Sequence, residues 1–402
     1  MKRIFVAAAL LMAYFTATAQ KGNDSTVYKK QQLAKSDIQL LFSYYTQDGD
    51  HSAVTGGKGT ENLQVYVSEF TLTHQRDSVN SGFLNAGIDV ISSASTDNID
   101  LVLSSASRVD KRFHIAGGYN RLMKKSGITA GINAGFSIES DYMSLPVGVS
   151  ISHDNATHTR QVSASLQCYF DDLRWGRFDP DYYYPKTLVY PVELRDQQWF
   201  DIYRRSSYNL SLALFQVINQ RMQLAIYPEL VYQRGLLSTP FHRVYFNTGK
   251  VKVENLPRER WKVPLAVQLN TFIGNNVILR SYYRFYRDNF GITGHTIQLE
   301  LPVKTSPLFT LSPLVRFYTQ TPSRYFKPID QHLLTEDFYT SDYDLSKFNS
   351  YKVGITGRYA MFKPIFKHSS FQEVALRYSF YKRSDQLSAH IVSLLLDFRH
   401  MK

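Results

Sequence analysis

"VILRSYYRFYRD", residues 277–288, sets arginines inside an aromatic run. Taken every second residue, it separates into Val277, Leu279, Ser281, Tyr283 and Phe285 on one face and Ile278, Arg280, Tyr282, Arg284 and Tyr286 on the other. A period of two is the signature of a β-strand. In a soluble sandwich the apolar face would pack on a second layer, and this stretch alone fits that reading. In a transmembrane barrel the same face would meet lipid, with the arginines turned towards a wet lumen. The rest of the chain decides between the two.

Alternation recurs along the whole sequence. In "GITAGINAGFSI" Ile128, Ala130, Ile132, Ala134, Phe136 and Ile138 share a face, opposite Thr129, Asn133 and Ser137. "VSASLQCYF" sets Val162, Ala164, Leu166, Cys168 and Phe170 against Ser163, Ser165, Gln167 and Tyr169. "WKVPLAVQL" and "YKVGITGRY" repeat the pattern, with Lys262 and Gln268, and Lys352, Thr356 and Arg358, on their polar faces. Ser, Asn, Gln, Lys and Arg do not build a sandwich core, whereas they do build a hydrated or hydrogen-bonded lumen.

Sixteen such segments can be placed, at 36–47, 62–75, 82–95, 110–121, 127–138, 142–153, 158–172, 203–218, 221–235, 258–273, 276–289, 292–304, 308–320, 349–362, 370–384 and 387–399. Fourteen is the alternative, because 36–47, 82–95 and 308–320 alternate less cleanly. Each segment is long enough for a tilted spanning strand, which needs ~9 to 11 residues in the apolar layer. Links after even-numbered segments are short, as in "KKSG", "NQR" and "GNN". Every long link follows an odd-numbered one: 48–61, 96–109, 173–202, 236–257 and 321–348. Short turns on one rim and long loops on the other predict an all-β, antiparallel up-and-down transmembrane barrel with periplasmic turns and extracellular loops.

The N-terminus supports export. "MKRIFVAAALLMAYFTATAQ" has a basic start at Lys2 and Arg3, an apolar run to about Phe15, and Ala17-Thr18-Ala19, which is the pattern of a cleaved signal peptide. The expected organisation is a leader at 1–19, a periplasmic tail at 20–35 and a barrel at 36–402. Cys168 is the only cysteine, so an intrachain disulfide and any Cys-x-x-Cys redox or zinc motif are excluded. With 28 Tyr and 26 Phe the chain has ample material for aromatic girdles. Candidates are Tyr44 with Tyr45, Tyr169 with Phe170, Tyr283 with Phe285, Phe317 with Tyr318, and Tyr378 with Phe380. The last segment ends its apolar face on Phe398, but Arg399 to Lys402 follow it, unlike the terminal aromatic that barrel-assembly machinery reads.

Charges on the polar faces are the candidate functional residues. A turn centred near Phe290 places Arg280 opposite Glu300 and Arg284 opposite Thr296. Lys262, Glu229, Arg358, Glu373 and Arg377 share the lumen parity on their own segments. These groups would either select solutes in an open lumen or form a network that plugs a closed one. In the loop "QDGDHSAVTGG" (47–57), Asp48, Asp50 and His51 form a possible ligand site, although the full calcium-loop pattern with its terminal Glu is missing. The loop "LRWGRFDPDYYYPKTLVYPVELRDQQWFD" (173–201) offers aromatics for saccharide stacking, for a constriction, or for its own packing. The loop at 321–348 carries Asp330, Glu336, Asp337, Asp342 and Asp344, which could bind divalent ions or be solvated.

No G-x-S-x-G or H-E-x-x-H motif occurs, and no cofactor motif is present. A barrel lipase would need Ser, His and a carboxylate or amide to converge on a membrane-facing rim. His295 is predicted to face lipid, and the sequence supplies no acid for it. The net charge of +12 points, in an exported barrel, to lipopolysaccharide and anionic solutes, and no nucleic-acid fold motif accompanies it.

"SDIQLLFSYYTQDGDHSAVTGGKGTENLQVY" (36–66), "DVISSASTDNID" (89–100) and "SIESDYMSLPVGVSISHDNAT" (137–157) resemble an uncharacterised outer-membrane family of Bacteroidota and related Gram-negative bacteria, known as a domain of unknown function. The resemblance runs from about residue 36 to the C-terminus. It implies an outer-membrane β-barrel, encoded near a flavin transferase, a thioredoxin-like protein and a small lipoprotein. It carries over no catalytic or ligand residues. The expected function is a porin-like channel or solute-binding barrel without enzymatic activity or cofactor. The alternative is a closed barrel that anchors a periplasmic complex, with docking at the turns or at "VYKKQQLAK". Expected partners are outer-membrane lipid and lipopolysaccharide, barrel-assembly machinery, a small solute and a periplasmic protein.

Overall fold

A computed structural model describes residues 34–93, 109–139, 142–173, 203–239, 242–366 and 368–401. The leader, most of the tail, the loop at 94–108 and the aromatic loop at 174–202 lie outside the described residues.

The first nine strands run as β1 (Lys35–Asp48), β2 (Leu63–Gln75), β3 (Asn80–Ser93), β4 (Val109–Met123), β5 (Ile128–Ile138), β6 (Met143–Asp154), β7 (Arg160–Asp172), β8 (Arg204–Asn219) and β9 (Met222–Gly235). A small separate hairpin follows, β10 (Arg243–Tyr245) and β11 (Val251–Val253). The wall resumes with β12 (Glu259–Ile273), β13 (Val277–Asp288), β14 (Thr293–Glu300), β15 (Val303–Lys304) and β16 (Phe309–Gln320). It ends with β17 (Phe348–Phe366), β18 (Ser369–Arg383) and β19 (Ser388–Met401). Every strand pairs antiparallel with its neighbours, β9 pairs with β12, and β19 returns to β1 from Lys35↔Met401 to Asp48↔Ser388.

Closure removes the sandwich reading, because the sheet has no edge and no second layer. β14 and β15 are successive pieces of one wall strand, since Val303 pairs with both Val277 and Leu311. Pro302, which lacks an N–H, stands at the break. Sixteen strands therefore form the wall, and the three weakly alternating segments are β1, β3 and β16. Strand β17 runs on to Phe366 through a bulge, into the segment expected as the turn at its end.

The wall is inverted relative to a soluble domain. Its apolar side chains point outward and are exposed, Ile132 at 63% being an example. Such a surface is stable only against lipid, since the hydrophobic effect would otherwise oppose it. The girdle pairs need a correction. Adjacent residues point to opposite faces, so Tyr44, Phe170 and Phe317 lie outside while Tyr45, Tyr169 and Tyr318 share the lumen face. Two matching clusters decorate the outer face. Tyr283 OH meets His295 Nδ1 at 2.8 Å beside Phe285, and Tyr378 OH meets His390 Nδ1 at 2.8 Å beside Phe380. These place a polar tip on an apolar body, which suits a membrane interface.

Candidate functional site

The lumen wall has two unlike halves. Across the middle of β4 to β8 it is small and neutral, with Asn120, Gly131, Asn133, Gly148, Ser150 and Gln167 in register across the ladders, while Arg112, Asp171 and Arg205 stand nearer the loop end. A Cβ at Gly131 would collide with Asn120 and Ser150, and one at Gly148 with Gln167 and Asn133. Glycine at these two positions lets the neighbouring polar chains lie flat along the wall. From β12 to β18 the wall carries cations.

The expected cross-strand register is observed: Arg280 faces Glu300 and Arg284 faces Thr296. Arg280 lies 3.5 Å from Glu300, Arg284 3.5 Å from Glu229, and Arg358 3.5 Å from Glu373. Arg377 donates from Nε to Thr356 Oγ1 at 2.8 Å. Lys262 stands opposite Asp288 in register, but Asp288 is taken by Arg260 at 2.5 Å. The predicted residues therefore resolve into separate pairs along the wall rather than one centre.

The centre lies higher, and sequence reading missed it. Arg316 and Lys352 are cross-strand partners, and neither has a recorded acidic partner among the described residues. Lys352 is also within electrostatic reach of Arg377. Arg260, Arg284, Arg316 and Lys352 line a cavity of about 470 Å3 at the loop-side end of the lumen, with Asp344 as the one lining carboxylate. Tyr286 and Tyr318 add phenols to it, the latter bonded to Gln320 at 2.6 Å. Arg260 and Arg284 are paired with Asp288 and Glu229, which leaves Arg316 and Lys352 as the uncompensated cations of a recess walled by phenols, suited to a carboxylate, phosphate or similar group. The signal was available in "FTLSPLVRFYTQ", where Arg316 has lumen parity with Ser312 and Tyr318.

Asp344 and Leu345 reach that cavity from the loop between β16 and β17. Gln320 Nε2 donates to the carbonyls of Asp344 and Ser346 at 2.9 and 2.6 Å, and Arg383 holds the Asp344 carboxylate at 2.5 Å. The outer loops thus fold together over the mouth. Val244 and Phe246 of the β10–β11 hairpin and Tyr339 of the later loop form a small apolar core, the main one among the described residues. Buried His332 donates from Nε2 to the Thr340 carbonyl at 2.9 Å.

Asp48 and Asp50 are exposed, while His51 stacks on Tyr343 at 3.8 Å and bonds through Nδ1 to the Gly57 carbonyl at 3.1 Å. These three residues are not gathered as a ligand set. The group that is gathered within ligand distance joins two loops, His242 and Glu254 with Asp342. Burial works against a charged His242, but the Glu254 and Asp342 carboxylates outweigh it and hold the imidazole above its usual range. Burial, with repulsion from Asp344 and Glu254, pushes Asp342 up to about 6 despite His242. Glu61 is pushed up to about 7, by burial first and then by Asp344.

Two Ser–His contacts occur at the opposite rim, Ser36 Oγ to His74 Nδ1 and Ser369 Oγ to His400 Nδ1, each 2.9 Å. Neither imidazole has a recorded carboxylate or amide on its other nitrogen, so the third member of a hydrolytic triad is missing among the described residues. His295, bonded to Tyr283 on the outer face, likewise has no acid.

Among solved structures, the chain is similar to a bacterial polysaccharide outer membrane secretin (8% identity, TM-score 0.46). It is also similar to a BenF-like porin from Pseudomonas fluorescens Pf-5 (9%, 0.43) and to Pseudomonas aeruginosa OccK1 (OpdK) (9%, 0.42). Each likeness covers 92% of this chain and 99% of the other. They are too distant to bear on this chain's solute or role. No curated protein matches the sequence. The family model described as "Protein of unknown function (DUF3570)" matches residues 1–390, and the chain belongs to that family.

Proposed function

We infer that the protein is an outer-membrane channel that favours small anionic solutes. The observation that carries this reading is the Arg316–Lys352 pair, two cations opposite each other in the lumen with no acidic partner among the described residues, lining a recess of about 470 Å3. Paired charges such as Arg280–Glu300 hold the wall; unpaired ones leave a field for a passing anion. Arg280, Arg284, Glu300, Lys262, Arg358, Glu373 and Arg377 line the route as the selectivity surface in this reading. The apolar outer face supports residence in lipid, and the basic, apolar and Ala17-Thr18-Ala19 leader supports export with cleavage before Gln20. The stretch at 36–66 supports an origin in Bacteroidota. The incomplete Ser–His pairs support a role without catalysis.

Single-channel conductance of the refolded protein in planar bilayers tests the reading. A steady conductance with an anion-favouring reversal potential is expected, and Arg316→Ala with Lys352→Ala should move that potential towards zero. Absence of conductance from protein shown to be folded by heat-modifiable gel mobility would overturn the channel and favour a closed barrel anchoring a periplasmic complex.

A further inference from the structure

Above the lumen, three side chains from two loops converge on one point. His242 leads into β10, Glu254 leaves β11, and Asp342 caps the short turn Tyr343–Leu345 of the loop between β16 and β17. His242 Nδ1 lies 3.7 Å from Glu254 Oε1 and 3.7 Å from Asp342 Oδ2, and the three atoms all lie within 4.8 Å of one another. A gap of 3.7 Å is too long for a hydrogen bond. It does fit two ligands each about 2.0–2.2 Å from one shared ion.

The hydrogen bonds around the three groups point the same way. Glu254, whose side chain is 2% exposed, is held by the Thr239 N–H at 2.7 Å and by the Thr340 hydroxyl. Asp342 receives the Asp344 N–H at 2.9 Å on Oδ1, which leaves Oδ2 turned to the histidine. His242 Nδ1 is buried and has no hydrogen-bond partner. A buried ring nitrogen left without a bond, aimed between two carboxylates that are themselves oriented by outer donors, is the arrangement of ligands awaiting an ion.

We propose that His242, Glu254 and Asp342 bind one divalent transition-metal ion that fastens the β10–β11 hairpin to the β16–β17 loop over the barrel mouth. One imidazole and two carboxylates suit Zn2+ and its neighbours rather than Mg2+, which prefers oxygen and retains its water. Three protein ligands leave a position for water. Because Asp342 is two residues from Asp344, which lines the lumen cavity, the ion fixes the part of the loop that reaches inward.

Isothermal titration of the full-length protein, refolded in lipopolysaccharide-free detergent, with ZnCl2 over a background of excess Mg2+ tests this. The expected result is one saturating ion per chain, lost in His242→Ala and in Asp342→Asn. The asparagine keeps an acceptor for the Asp344 N–H, so the turn is retained, and heat-modifiable mobility confirms the barrel. No saturating heat in the wild type, or binding unchanged in both variants, overturns the site.

Discussion

Arg316 and Lys352 face each other directly across the β16–β17 ladder, although like charges in that position oppose pairing. Opposite charges there would contribute roughly 0.2–1 kcal/mol, and like charges cost a similar amount. Arg316→Glu should therefore act in two directions at once. Urea unfolding of the liposome-folded protein is expected to show a gain of about 1 kcal/mol, while the reversal potential in bilayers shifts towards cations. A gain in stability with unchanged selectivity would separate the pair from the conduction path.

Asp288 closes β13 and gathers four donors: Arg260 through Nε at 3.0 Å and Nη2 at 2.5 Å, Tyr286 OH at 2.9 Å, and the Ile292 N–H at 2.9 Å. The Arg260 guanidinium also sits 4.5 Å over the Phe290 ring. Removing one partner of a buried pair strands the other, at a cost of about 3–5 kcal/mol. Asp288→Ala should lose about that much stability in urea. Asp288→Asn, which keeps an acceptor for Ile292, should lose less.

The assignment of faces has its own test in β14. Ile297 is 52% exposed on the outer face and Gln298 is its lumen-side neighbour, in register with Tyr282 and Arg316. An arginine on the lipid face near the midplane costs roughly 2–4 kcal/mol. Ile297→Arg should be destabilising by that order and Gln298→Arg much less, as measured by urea unfolding in liposomes. Equal effects would mean that the outer face does not meet lipid.

Much of this wall was legible because a barrel strand advertises itself locally. Val277 to Asp288 alternates within twelve residues, and fixing the turn near Phe290 was enough to pair Arg280 with Glu300. Adjacent rings were read less well, since Tyr318 lies against Gln320 in the lumen rather than in the girdle with Phe317. Arg316 passed unnoticed because no cross-strand acid drew attention to it, although its parity was correct. Of the cap, the acidic run that holds Asp342 was legible, but not the residues it meets. His242 and Asp342 are a hundred residues apart in sequence, on loops with no periodicity, and the packing of Phe246 on Tyr339, with hydrogen bonds such as that from Thr340 to Glu254, brings them together. Asp48, Asp50 and His51 looked like a ligand set because they are neighbours in sequence, yet His51 turns away to stack on Tyr343.

The same cap should respond to pH through Glu61. Its carboxyl is pushed up to about 7 in the folded loops from an ordinary value near 4.5, by burial and by the nearby Asp344. The closed cap therefore binds a proton more tightly than the opened one, so closure is favoured at low pH and weakens as pH rises between those two values. Spin labels at Lys58→Cys and Asp337→Cys, in a Cys168→Ser background, would report the separation of the β1–β2 and β16–β17 loops. The distance distribution is expected to broaden from pH 5 to pH 8, and Glu61→Gln should remove the part of that change that falls below about pH 7. A distribution that stays narrow at pH 8 in the parent protein would show that ionised Glu61 is accommodated without loosening the loops.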